Sequence, residues 1–379
     1  MRDTKQERQM IREVAVKTAQ RVVKPKATEI DATGEFPRDL VEAFGKQGLL
    51  SVLLPEEYGG TQGDLSSFCL VVEEIAKVSG SSALLILAQG MGSIPILLGG
   101  NVSQQERCFS QIAEENKLTA LALDEGETGS EMVSLRTRAE KQGKEYLLKG
   151  RKSFVTFGSV ADFYSVFAVT EPKQGLEGFS AFMIGKETAG LHFGGREEAL
   201  GMKGVVTTDV ILEGCRVPAE DRLGEEGNGW EIIRRTHHMS GPAAGALAVG
   251  IAQGALDFSM GYSQERVQFG KPISSFQAIR FMLADMATQV EAARALVDKA
   301  VAHFEAQHED IETLSSMAKT FASDAAIKVT TDAVQILGGY GYMREYPVER
   351  MMRDAKVTQI YGGTNQWERQ VVAQHLFRD

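Results

Sequence analysis

The spacing of hydrophobic and polar positions divides the chain into three stretches. Residues 1–117 read as helical: Pro37 precedes the run 38–44, where proline at a helix start loses no needed N–H. Residues 54–60 (LPEEYGG) form a turn-rich break, and the apolar run 83–88 (ALLILA) fits a buried helix. Residues 118–228 change period. Short β-prone runs at 163–169, 179–184 and 207–212 are separated by glycine, proline and charged turns, which predicts a compact β unit. The glycines of 224–229 mark its end. Residues 229–379 return to helix. Ile279, Met282, Leu283 and Met286 lie on one apolar face, and Gly245, Ala246, Ala248, Gly250 and Ala252 suit a tightly packed bundle. Gly338, Gly339 and Gly341 close one helix before Tyr346 and Pro347 open the next segment. The expected domains are therefore 1–117, 118–228 and 229–379.

Composition narrows the function classes. The 379 residues carry a net charge of −10, which disfavours general affinity for nucleic acid. No run of about 18 apolar residues stands out, so no membrane span is expected. The charged N-terminal residues lack an apolar signal core, and Cys69, Cys108 and Cys215 offer neither zinc spacing nor a disulfide framework. A cytoplasmic protein with buried free thiols is expected, in which the sequon at Asn101 is unused. There is no phosphate-binding Walker sequence, no dinucleotide fingerprint after a strand, and no His-Glu-x-x-His. His303 and His308 are five apart, the wrong spacing for one helix face, so no metal is expected.

Four motifs carry a more specific signal: residues 122–131 (ALDEGETGSE), 150–158 (GRKSFVTFG), 264–272 (QERVQFGKP, followed by Phe276 and Gln277), and 335–339 (QILGG) together with 353–366 (RDAKVTQIYGGTNQ). Residues 200–204 (LGMKG) and 215–218 (CRVP) add to them. In this order and spacing, over nearly the whole chain, they resemble the acyl-CoA dehydrogenase family.

The resemblance implies an α+β fold with an N-terminal helical domain, a middle β domain and a C-terminal four-helix bundle. It also implies FAD between the β domain and the bundle, a homotetramer, an acyl-CoA substrate and an electron-transfer flavoprotein as electron acceptor. Carried over residue by residue, Phe154 matches the flavin's aromatic wall and Thr156 a hydroxyl near its reactive nitrogen. Gly129 and Ser130 match a loop that contacts the flavin pyrimidine and the CoA, with Leu123 and Asp124 as cofactor-binding candidates near the flavin edge. Arg266, Gln268 and Phe269 match residues that reach a neighbouring subunit's FAD, and Gln277 is a further cofactor-binding candidate. A guanidinium suits pyrophosphate because its planar fork donates two hydrogen bonds. Gln335, Gly338 and Gly339 match adenosine and pyrophosphate contacts, and Tyr361, Thr364 and Gln366 further cofactor contacts.

One position departs from the family. Its usual catalytic glutamate follows the Tyr, where this chain has Gly362; only the backbone N–H remains there, still able to polarise a thioester carbonyl. A second branch keeps its glutamate on the first helix of the bundle. Counting back from residues 250–253 puts that position at Ser240, beside Gly241. Three readings compete. In the first the base is relocated, with His237 and Asp124 as candidates and His238 alongside. In the second the reaction is shifted, as in relatives acting on alicyclic acyl-CoAs. Those relatives take their base from the stretch equivalent to 85–95, which here holds no acid but offers Gln89, Met91 and Ser93 as acyl-pocket residues. In the third no α-proton is removed, as in desulfinating relatives or a catalytically silent acyl-CoA-binding flavoprotein.

Overall fold

The computed structural model describes residues 4–126 and 134–377. Six helices come first: α1 (Thr4–Thr18), α2 (Ala27–Thr33), α3 (Arg38–Lys46), α4 (Leu65–Ala76), α5 (Gly80–Gly99) and α6 (Val102–Glu115). Eight strands follow: β1 (Thr119–Ala122), β2 (Arg138–Gln142), β3 (Glu145–Thr156), β4 (Phe163–Val169), β5 (Phe179–Gly185), β6 (Leu191–Phe193), β7 (Thr207–Pro218) and β8 (Arg222–Leu223). Helix α7 (Gly229–Glu265), a hairpin of β9 (Val267–Gln268) and β10 (Lys271–Pro272), then α8 (Gln277–Glu305), α9 (Ile311–Leu337), α10 (Pro347–Val357) and α11 (Asn365–Leu376) complete the chain.

Local chemistry starts these helices. The Asp64 and Ser79 side chains accept the Ser67 and Ser82 amides at the head of α4 and α5. Asn101 and Gln104 close a reciprocal capping box on α6, so the sequon asparagine is occupied in holding a helix. Thr364 accepts the Trp367 amide at 3.3 Å and begins α11.

In the sheet the strand order is β6-β7-β3-β2-β4-β5-β8, with β1 parallel to β4. The two halves are joined by a single register pair, Arg138 with Val169. Between Lys152 and Val155 the β3–β7 register slips. Phe154 sits in that bulge at φ 54°, a left-handed conformation unfavourable for a bulky side chain, and 66% of its surface is exposed.

The helical core forms where backbones approach closely. A Cβ on Gly241 would lie 2.2 Å from the Ser315 hydroxyl of α9, and one on Gly250 would lie 2.4 Å from the Glu73 carbonyl of α4. Contrary to the sequence expectation, α5 and α7 are each long and apolar enough to cross a membrane. Of the apolar stretch in each, 83% and 78% is buried within the fold, which is what a core helix requires.

Arg353 and Asp354 fasten the end of the chain to the other two layers. The Arg353 guanidinium meets both oxygens of Asp31, at 2.8 and 2.7 Å, and both of Glu349, at 2.7 and 3.0 Å. The Asp354 carboxylate accepts the Met202 amide at 2.6 Å. The turn carrying Tyr361 and Gly362 is thereby held against the first helices and the β layer.

Candidate active site

The loop after β1 is held against β3 by a buried ion pair. Lys152 donates to Glu125 at 2.7 Å and to the Leu123 carbonyl at 3.0 Å, while the Ser153 amide donates to the Asp124 carbonyl at 2.9 Å. Burial lowers the Lys152 pKa, and Glu125 opposes that shift. Burial would raise the Glu125 carboxyl, but the Lys152 charge and hydrogen bond outweigh it and hold the group below its usual value. Asp124 keeps an exposed edge in a protein-walled recess; desolvation raises its pKa against the pull of Lys152. Tyr361 joins this recess, hydrogen-bonded to Thr156 and within the field of Asp124; burial pushes its phenol up. Asp124, Thr156 and Tyr361, drawn from three distant segments, thus face one region, with the exposed Phe154 two residues from Thr156 on the same strand.

The following turn bears the second half of the site. Gly362 has φ 68° and Gly363 φ 106°, both left-handed. A Cβ on Gly362 would touch only the Met91 methyl and Ala244, each at 3.9 Å. A Cβ on Gly363 would collide with Glu368 Oε1 at 2.4 Å, so glycine is required for α11 to fold its first turn under this loop. Glu368 is fully buried and both its oxygens lie 3.1 Å from Nε2 of His237. Trp367 packs edge-on against the His237 ring at 4.8 Å. Lys319, also fully buried, donates to the Gly363 carbonyl and, at 2.9 Å, to Asn365 Oδ1. Burial lowers its pKa to about 8, against the pull of Glu368 and Asp324.

Several expected pocket residues have other occupations. The Gln89 Oε1 accepts the Thr119 amide at 3.0 Å, and the Ser93 hydroxyl bonds the Gln89 carbonyl and Thr119, so both sew α5 to β1. Gly241 marks the close approach of α7 to α9. The Ser240 hydroxyl turns back on its own helix, 3.5 Å from the His237 carbonyl. His238 is buried with Nε2 unpartnered; desolvation, then the neighbouring His237, push its pKa down to about 3. Of that group Met91 alone adjoins Gly362. Gly129 and Ser130 lie outside the described residues. Glu368 and Lys319 were not anticipated. An acid in the first turn of α11 reads as a favourable charge at a helix N-terminus, and a lysine within α9 as a solvated one.

Arg266, Gln268, Leu337, Gly338 and Gly339 line a groove of about 460 Å³ that shares no lining residue with the first recess. Arg266 lies over the Tyr340 ring at 5.2 Å and has no carboxylate partner among the described residues. A Cβ on Gly338 or Gly339 would meet nothing within 4 Å, so the backbone there is open to close approach. Phe269, at 93% exposure and φ 54°, stands out from the β9–β10 hairpin. Gln277, Gln335 and Gln366 are exposed.

Family models cover most of the chain: the acyl-CoA dehydrogenase N-terminal domain at residues 5–116, the middle domain at 120–215 and the C-terminal domain at 227–377. The chain belongs to the acyl-CoA dehydrogenase family. Among its relatives is the cyclohex-1-ene-1-carbonyl-CoA dehydrogenase of Syntrophus aciditrophicus, 45% identical over 99% of this chain and 91% of that protein. An acyl-CoA dehydrogenase of Bacillus subtilis is 44% identical over 98% of both. The butyryl-CoA dehydrogenase structure from Megasphaera elsdenii superposes with a TM-score of 0.95 at 38% identity, covering 100% of this chain and 99% of that one. The expected α+β fold and an FAD-dependent acyl-CoA dehydrogenase-type enzyme are borne out. The residues present fit FAD: an exposed aromatic ring on a bulge, a hydroxyl two residues on, and a guanidinium with no carboxylate partner among the described residues, lining one groove with an open Gly-Gly backbone.

Proposed function

We propose that this protein dehydrogenates an alicyclic acyl-CoA thioester with His237 as the proton acceptor. The observation that carries this reading is the buried His237–Glu368 pair, directly beneath the turn where other family members carry their glutamate. Gly362 and Ser240, the two family positions for the base, offer no carboxylate. The Nδ1 of His237 has no hydrogen-bond partner among the described residues. A carboxylate fixed on one imidazole nitrogen orients the ring and stabilises its protonated form, leaving the other nitrogen to take a proton. Asp124 is disfavoured for this role because it stands near Tyr361 and Thr156, which the family resemblance assigns to the flavin.

Substrate class follows from two supports. The Syntrophus aciditrophicus relative acts on a cyclic acyl group by its name, and glycine at 362 leaves a wall of Met91 and Ala244 wider than a glutamate would. FAD, when bound, supplies the hydride acceptor. Phe154 gives its ring a flat wall, Thr156 and Tyr361 hold the recess, and the Gly362 N–H polarises the thioester carbonyl. Arg266, Gln268, Phe269, Gln335 and Gly339 reach the FAD of a neighbouring subunit in a homotetramer, which accounts for the exposed Phe269. Electrons leave to an electron-transfer flavoprotein in the cytoplasm, and the domain limits fall at 117/118 and 228/229.

Anaerobic bleaching of the flavin by straight-chain and cyclic acyl-CoAs tests the reading. Faster bleaching by cyclohexene- or cyclohexane-carbonyl-CoA than by butyryl-CoA is expected. Preference for straight chains removes the alicyclic assignment, and no bleaching by any thioester points to a silent binding flavoprotein.

A further inference from the structure

We propose that His303, His308, Asp310 and His375 form a binding site for a divalent transition-metal ion, with Zn²⁺ the best chemical fit. The sequence argument against metal assumed one continuous helix face. Helix α8 instead ends at Glu305, and the chain turns so that the His308 amide donates to the His303 carbonyl at 2.9 Å. The two imidazole centroids lie 4.5 Å apart, with the ring planes tilted by 58°. Donor atoms of His303, His308 and Asp310 all lie within 4.8 Å of one another. Helix α11 brings a fourth group: one Asp310 oxygen is 3.6 Å from Nε2 of His375 while the other is 3.5 Å from Nδ1 of His308.

Those separations decide between two arrangements. A charge-assisted hydrogen bond closes to about 2.7–2.9 Å, so these are not good ion pairs. Ligands held about 2.0–2.2 Å from a tetrahedral zinc lie roughly 3.3–3.5 Å from each other, which the His375–Asp310 separation approaches; His308 Nδ1 accepts the Asp310 amide at 3.2 Å, leaving Nε2 as its ligand atom. Nδ1 of His303 is buried without a hydrogen-bond partner among the described residues, a ring nitrogen free to bind an ion. His308, Asp310 and His375 keep surface exposure that admits an ion from solvent. Three imidazoles and one carboxylate select a borderline metal over Mg²⁺ or Ca²⁺, which prefer all-oxygen sets. The ion would tie the α8–α9 turn to α11, the helix whose first turn carries Glu368.

The test uses untagged, FAD-loaded full-length protein stripped with EDTA. Co²⁺ titration should give saturable visible ligand-field absorption at one ion per chain, displaced by Zn²⁺, with Zn²⁺ raising Tm. In H303Q/H375Q the Zn²⁺ affinity should fall roughly tenfold or more, with metal-free dehydrogenase activity unchanged because the site lies outside the flavin recess. Should the double variant misfold, H375Q alone, on the exposed helix, gives the same reading. Absence of saturable binding, or affinity unchanged in the variants, overturns the site.

Discussion

Nε2 of His237 is equidistant from the two oxygens of Glu368, 3.1 Å from each, and both residues are buried. A carboxylate so placed on an imidazole is an arrangement for holding a ring in one orientation. If His237 takes the substrate proton, His237→Ala should slow flavin reduction about 10²–10⁴-fold with FAD content intact. Glu368→Gln, which keeps a hydrogen bond but removes the charge, should slow it by a smaller factor of about ten or more. Stopped-flow absorbance under anaerobic conditions measures both. Reduction of the His237→Ala protein at the wild-type rate would eliminate His237 as the base.

His238, next along α7, predicts a pH dependence of stability. Unfolded, its imidazole gains a proton near 6.5; folded, burial and the neighbouring His237 hold that protonation down to about 3. The folded pKa is depressed, so the stability from keeping this ring neutral is fully present above 6.5. It is lost as pH falls, levelling off below about 3, with an upper limit of about 5 kcal/mol. His238→Leu removes the titration and the unpartnered Nε2. Urea denaturation should find the variant near wild type at about pH 7.5 and more stable than wild type at about pH 5. Parallel pH profiles for the two proteins would contradict the assignment.

How much of this was legible beforehand depended on the distance over which each residue acts. Strands β4 and β5 were readable because apolar β-prone runs bounded by turns signal themselves locally. The recess of Asp124, Thr156 and Tyr361 was readable only through motif resemblance, which named these residues together before any geometry did. Gln89 and Ser93, expected at the pocket, bond to Thr119 of β1, and the sequence did not signal it because a polar group on an apolar helix looks the same whether it faces a ligand or a neighbouring strand. Glu368 was invisible: its partner is 131 residues away, and only the packing of α11 against α7 brings them together. Helices α5 and α7 show the converse, since burial within the fold demands a composition that a bilayer would also accept.

Arg353 should be a main fastening of the C-terminal segment. Its fork satisfies Asp31 and Glu349 together, with side chains only 16% and 13% exposed. Burial would raise the Asp31 carboxyl, but Arg353 outweighs it and holds the group below its usual value. Arg353→Ala leaves two carboxylates without their hydrogen-bonded cation, with only the more distant charges of Lys203 and Arg350 near Asp31, at a cost of about 3–5 kcal/mol. Arg353→Lys should recover part of this, because the charge returns without the fork. Chemical denaturation of the FAD-loaded protein measures both. A loss below about 1 kcal/mol for the alanine variant would reduce the cluster to a surface ion pair.

Gly362→Glu separates the chemistry of this turn from its shape. The new Cβ would sit at ordinary contact distance from Met91 and Ala244, so space is not the obstacle. The obstacle is φ 68°, where an L side chain costs roughly 1–2 kcal/mol. A modest loss of stability should therefore accompany a gain in activity, because the added carboxylate stands where the family's base stands. Flavin reduction by butyryl-CoA should rise, while reduction by a cyclic thioester should fall as the side chain narrows the wall formed by Met91 and Ala244. The two changes move in opposite directions only if the missing carboxylate and the wider pocket are linked. A variant that is faster, or slower, with both substrates would show that glycine at this position does not set the acyl preference.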